Sequence, residues 1–165
     1  MMKPNTTVWI DAELSLGLID RVRRVNALRH AVPDCGAMVT FDGMVRPSSK
    51  EGESIEVLIL DHHPEMTAPS IERIAHDGAA RFDVQGISVA HRSGRLLPGD
   101  MIVFVAVASA HRRAAFECAD YLMDRLKTDA VFWKREQGGF GERWIEPTSA
   151  DKKDRERWYE ETAGH

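Results

Sequence analysis

Apolar residues recur along this chain at two spacings, every second position or every third to fourth, and each change of spacing marks where one element gives way to the next. The stretch "TTVWID" (6–11) predicts a short opening strand. From Leu14 to Arg29 the row Leu14, Leu18, Val22, Val25 and Leu28 predicts a helix, with Arg21, Arg23, Arg24 and Arg29 on a solvated face. Pro33 stops it. "CGAMVTFDGMVRP" then predicts a strand closing at Arg46, because Pro47 has no amide to give a sheet ladder. Beyond the polar loop "SSKEGES", "IEVLILDHH" predicts another strand, and Pro64 to Phe82 a helix with Ile71, Ile74, Ala75 and Gly78 turned inward. "ISVAHRSG" predicts a strand and "RLLPGD" a turn. "MIVFVAVAS", apolar at odd and even positions alike, predicts a strand covered on both faces and therefore central.

A helix follows from His111 to about Thr128, its buried stripe formed by Ala115, Cys118, Ala119, Leu122, Met123 and Leu126. "VFWKREQ" has the period of a strand, which places Phe132, Lys134 and Glu136 on one face. "GGFG" turns the chain, "ERWIE" returns beside it, and the polar helix at about 149–165 either frays or docks through Trp158.

Length and composition narrow the possibilities. With 165 residues, 43% of them apolar, and no linker, the chain is expected to form a single domain over 1–165. A net charge of −4 leaves no global footprint for nucleic acid. No segment has the length to serve as a signal peptide or to cross a bilayer, so no membrane partner and a cytoplasmic location are expected. Cys35 and Cys118 lie far apart without CxxC spacing. Asp61, His62, His63 and Glu65 do not make a metal site, because adjacent histidines on a strand point to opposite faces. No metal and no cofactor are expected.

Lysine usage is uneven. The chain has 6 lysines and 16 arginines, yet between Glu51 and Asp151 only Lys127 and Lys134 interrupt a run of arginines. A desolvated ammonium can lose its proton and act as acid, base or nucleophile, whereas a guanidinium cannot. Lys127 continues the row Ala119, Met123 at the end of its helix, so its stem follows apolar surface while its amine reaches the rim. Plain structural roles are also available. Lys127 suits the negative helix end, worth roughly 0.3–1 kcal/mol, and Lys134 with Glu136 makes a surface pair worth less than about 1 kcal/mol.

"SAHRRAAFE" opens a helix with His111, Arg112 and Arg113, where cations oppose the helix dipole unless an anion or an acidic neighbour compensates. Ser109 is placed to cap the free amides. Amides, Arg and His together suit a phosphate, and Arg46, at its strand end, is placed to add one more contact.

The segments "GAMVTFDGMVR", "LDHHPEM", "VAHRSGRLLPGD", "IVFVAVASAHRRAAFECADYLMDRLKTDAVFWKRE" and "ERWIE" together resemble, in order, the large catalytic subunit of molybdopterin synthase, over about Gly36 to Glu146. Met44 stands where relatives often have lysine, His63 replaces an aromatic residue, and the first helix is longer. The resemblance implies an α+β fold like the α/β-hammerhead with an additional antiparallel β subdomain. It implies a sulfurtransferase that gives cyclic pyranopterin monophosphate two dithiolene sulfurs. These come from the thiocarboxylated C-terminal glycine of a small ubiquitin-like partner, in a heterotetramer built on a homodimer of large subunits. On this resemblance Lys127 contacts the partner's terminal carbonyl, and Lys134, steered by Glu136, is acid or base. Arg46, His111 and Arg112 bind phosphate and pterin, the last two from across the dimer, and Phe41 and Met123 form apolar walls. Two other readings remain open: a non-catalytic scaffold that docks a ubiquitin-like partner, and a Schiff-base enzyme using Lys127.

Overall fold

The run "MIVFVAVAS" forms β6 (Met101–Ser109), which lies between β4 (Gly86–Arg92) and β2 (Ala37–Met44), antiparallel to both. This is a computed structural model that describes residues 7–160. Val103, Val105 and Val107 face one core, shared with Ile71 and Ile74 of α2 (Thr67–Arg81) and Cys118 and Leu122 of α3 (Arg112–Thr128). Phe104, Ala106 and Ala108 face a second core, with Leu28 of α1 (Arg21–Ala31). Helices on both faces explain why neither face of β6 is polar. β1 (Trp9–Ser15) pairs parallel with β4 and completes the order β1-β4-β6-β2, leaving β2 an edge strand.

The second sheet is antiparallel throughout, with β3 (Ile55–His62) between β5 (Gly94–Leu96) and β7 (Phe132–Gly138), and β8 (Gly141–Ile145) outermost. Among the described residues four helices and two sheets make a mixed α+β fold, with the second sheet as the additional antiparallel portion. Part of "RLLPGD" is strand. Its turn is confined to 97–100, where the Asp100 amide donates to the Leu97 carbonyl at 3.0 Å.

The opening differs from its periodicity. β1 continues to Ser15, and α1 starts at Arg21, after Asp20, whose carboxylate accepts from the Arg23 amide at 3.0 Å. Leu14 is therefore a strand residue, and Leu18 and Val22 are 85% and 67% exposed. Pairing with β4 satisfies the backbone of 9–15, which a spacing of apolar residues cannot reveal. Arg24 is not solvated either. It is buried and donates to Asp11 at 3.2 Å, to Ser88 at 3.0 Å and to Glu13, because alternation in β1 turns both acids toward α1.

Residues 129–131 join α3 to β7, and α2 clamps this short connection. The Thr67 hydroxyl donates to the Val131 carbonyl at 2.5 Å, while the Val131 amide donates to Ser70 Oγ at 3.1 Å. Of the two outcomes open for the last helix, docking is the one observed over α4 (Ser149–Glu160), which packs on α3, while 161–165 of the expected span lie outside the described residues. Trp158 is buried, meets Phe82 and Tyr121 edge to face, and donates from Nε1 to Asp124 at 2.7 Å.

Candidate active site

Lys127 occupies the last turn of α3, half exposed, with Nζ 3.4 Å from Asp151 Oδ1 in the first turn of α4. Lys134 lies on β7, opposite Leu60 of β3 and Ile145 of β8. Its amine is held below the ordinary lysine value, first by burial and then by the charge of Lys127, with Asp151 acting in the opposite direction. Residues 129–131 are the whole connection between the helix that bears Lys127 and the strand that bears Lys134. The pair is thus brought together by two elements from different layers.

Met123 is partly buried one turn before Lys127, and Phe41 of β2 shares the α3-facing side of the first sheet through its register with Val105. Arg46 is exposed just beyond β2, where the Val45 amide donates to the Asp100 carbonyl at 2.9 Å. β2 and β6 are antiparallel, and α3 runs back from the end of β6, so Arg46 and Lys127 lie at the same end of this layer.

His111 and Arg112 are exposed at the other end of α3. A helix rises about 1.5 Å per residue, so Arg112 and Lys127 are about 22 Å apart along it, and one chain does not bring them into one site. Ser109 accepts from the His111 amide at 3.3 Å but does not itself occupy the capping position. Its hydroxyl donates to the Asp83 carbonyl at 2.7 Å, and His111 takes the capping position without a side-chain bond to the helix. No acidic residue occupies the first turn.

Glu136 does not steer Lys134. It lies opposite Arg143 of β8, with Oε2 3.6 Å from Arg143 Nη2, because directly opposed cross-strand residues are closer than positions i and i+2 along one strand. Cys118 is fully buried, its thiol pushed up to about 12 by desolvation, so it is packing and not a nucleophile. Among the described residues no cluster of His, Cys, Asp or Glu is arranged to hold a metal. His62 instead lies 2.6 Å from Ser93 Oγ, and Asp61 pairs with Arg135.

Two residues at this site escape sequence reasoning. Asp151 is one of several acids in a polar helix, and nothing local ties it to Lys127. His91 carries more signal, being an imidazole in an apolar strand on the same face as Ile87 and Val89.

The family model described as "MoaE protein" matches residues 18–129. The chain belongs to the MoaE family. A molybdopterin synthase catalytic subunit from Yersinia pestis is 50% identical over 123 residues, covering 74% of this chain and 81% of its own. The molybdopterin biosynthesis MoaE protein of Burkholderia ambifaria superimposes with a TM-score of 0.76 at 37% identity, covering 93% of this chain and 99% of that one. A protein–protein complex of subunits 1 and 2 of the Helicobacter pylori molybdopterin-converting factor shares the fold, with a TM-score of 0.62 at 20% identity over 84% of this chain and 89% of that one. MoaE membership and the curated catalytic subunits place the activity in molybdopterin synthesis, as a sulfurtransferase.

Proposed function

We propose that Lys127 and Lys134 are the groups that carry sulfur from a small carrier subunit onto cyclic pyranopterin monophosphate. The observation behind this reading is the coupled pair of amines, one half exposed at a helix end and one desolvated on the neighbouring strand. A thiocarboxylate tail and a phosphorylated pterin are both anionic, and two nearby cations lower the cost of holding them together. Lys127, accessible and directed to the rim, polarises the terminal carbonyl of the carrier's glycine as sulfur leaves. Lys134, its proton loosened, serves as acid or base as substrate oxygens depart. Phe41 and Met123 supply apolar walls, and Arg46 supplies a cation at the same end of the layer.

The phosphate cradle of His111 and Arg112 comes from a second copy in this reading. β2 is an edge strand with Phe41 and Met44 exposed. Antiparallel pairing of two such edges about a two-fold axis sets the Ala37 end of one strand beside the Met44 end of the other. That arrangement carries the N-terminus of one copy's α3 toward the C-terminus of the other's. The carrier subunits sit on this dimer, in line with the two-subunit complex that shares the fold. No helix among the described residues is long and apolar enough to cross a membrane, which is in keeping with cytoplasmic synthesis.

Single turnover with thiocarboxylated carrier and cyclic pyranopterin monophosphate tests the proposal. Lys127→Ala is expected to bind the carrier with unchanged affinity and yield no dithiolene. Full product formation by Lys127→Ala refutes the role. Binding without turnover by the unsubstituted chain would instead mark it as a scaffold.

A further inference from the structure

The two amines belong to different layers: Lys127 to a helix packed on the first sheet, Lys134 to the second sheet. Their separation therefore depends on what fixes one sheet against the other. At that junction lies His91, the sixth residue of β4, paired with Val103 of β6 and Leu14 of β1. Its imidazole is 4% exposed and stacks on Phe132, with ring centroids 4.2 Å apart and planes inclined by 27°. Phe132 opens β7 and shares a strand face with Lys134, two residues on. The ring itself is oriented from behind. Nδ1 lies 2.9 Å from the Arg92 carbonyl oxygen, which only accepts, so Nδ1 carries the proton.

We propose that His91 is a positioning residue, whose stacked ring seats β7 on the first sheet and so sets where the Lys134 amine stands relative to Lys127. The proposal rests on the lysine pair being the reactive site. His91 is held neutral, its value lowered to about 4 by burial foremost and also by the charge of Lys134, so it adds no third cation beside the two amines. Lys134 on β7 is the charge that acts on the imidazole, opposed by the hydrogen bond to the Arg92 carbonyl; Lys127 on α3 and Asp151 on α4 act in turn on Lys134, and His62 of β3 lies in register with Phe132.

The test compares His91→Phe, which keeps a stacking ring, with His91→Ala, which removes it. Two readouts are taken on the heterotetramer with its carrier: the titration of the Lys134 amine, followed by carbon NMR of labelled lysine and assigned with Lys134→Arg, and single-turnover rate. His91→Ala is expected to move the Lys134 titration up toward the ordinary lysine range, as the amine gains solvent. Its rate should fall by about 10²-fold, the cost of a misplacement near 1 Å, while carrier affinity holds. His91→Phe is expected to retain the titration and a rate within about threefold of the unsubstituted protein. An unchanged Lys134 titration in a folded His91→Ala overturns the proposal, and so does a His91→Phe as impaired as His91→Ala. If Lys134→Arg proves fully active, the lysine-pair reading fails instead, whatever His91 does to the titration.

Discussion

Lys127 Nζ and Asp151 Oδ1 lie 3.4 Å apart, linking the end of α3 to the start of α4 across the mouth of the lysine pair. Asp151 is in turn fixed by the Thr148 amide at 2.9 Å and its hydroxyl at 2.8 Å. The ion pair is half exposed on the lysine side, so it contributes less than about 1 kcal/mol to stability. Its larger effect is electrostatic, since the Asp151 carboxylate raises the proton affinity of Lys134. Asp151→Asn is expected to shift the Lys134 inflection of the pH–rate profile to lower pH, with thermal stability nearly unchanged. A profile displaced to higher pH would contradict this assignment.

Lys134 itself is bound at a cost. Its folded-state value lies below that of the unfolded chain, so between the two the unfolded state binds more protons and stability rises with pH. The penalty is present in full at neutral pH and is relieved only as pH climbs through the lowered value toward 10.5. Lys134→Met is thus expected to be more stable than the parent to urea at pH 7, with the gain shrinking at alkaline pH. Turnover should drop by about 10²-fold or more, the usual contribution of a positioned acid or base. Lower stability at pH 7 would show that the amine is well solvated.

His91 predicts sensitivity to acid. Its value falls from 6.5 in the unfolded chain to about 4 in the fold, so it favours folding fully above pH 6.5 and progressively less as pH drops toward 4. Below both values the cost of the protonated imidazole reaches about 3 kcal/mol. Urea denaturation at pH 7 and pH 4.5 checks it: the drop in stability between them should be smaller in His91→Phe than in the parent. Equal drops would mean that the imidazole is hydrated.

Mixed dimers test the shared site. Lys127→Ala and Arg112→Ala are each expected to be inactive as homodimers. In a heterodimer of the two, one site collects both substitutions and the other none, so about half of the parental sites return. A site confined to one chain would give no recovery. Co-expression with two tags and single turnover on the purified heterodimer reads the difference.

Much of this architecture is legible in the residue pattern, and the exceptions have physical causes. β6, α2 and α3 each bury apolar residues at a regular period, and the observed cores use those residues. The first helix is where its period places it over 21–29, and only its start differs, because Leu14 and Leu18 fit a helical spacing that the parallel partner of β1 overrides. Arg24 reads as surface within its own helix because the acids that neutralise it, Asp11 and Glu13, belong to a different element. The lysine pair was legible from its scarcity among arginines, but its surroundings were not. The period of β7 sets Glu136 beside Lys134, whereas its ion pair runs across strands to Arg143. Asp151 and His91 reach the site only through the docking of α4 and the meeting of the two sheets.

Residues 129–131 are all that separates the helix bearing one amine from the strand bearing the other. Their course is dictated from outside, by hydrogen bonds from Thr67 and Ser70. Grafting the peptide from Leu122 to Glu136 onto a foreign scaffold would accordingly transplant both nitrogens without the gap between them. An engineer wishing to move this chemistry must carry the start of α2 along with it.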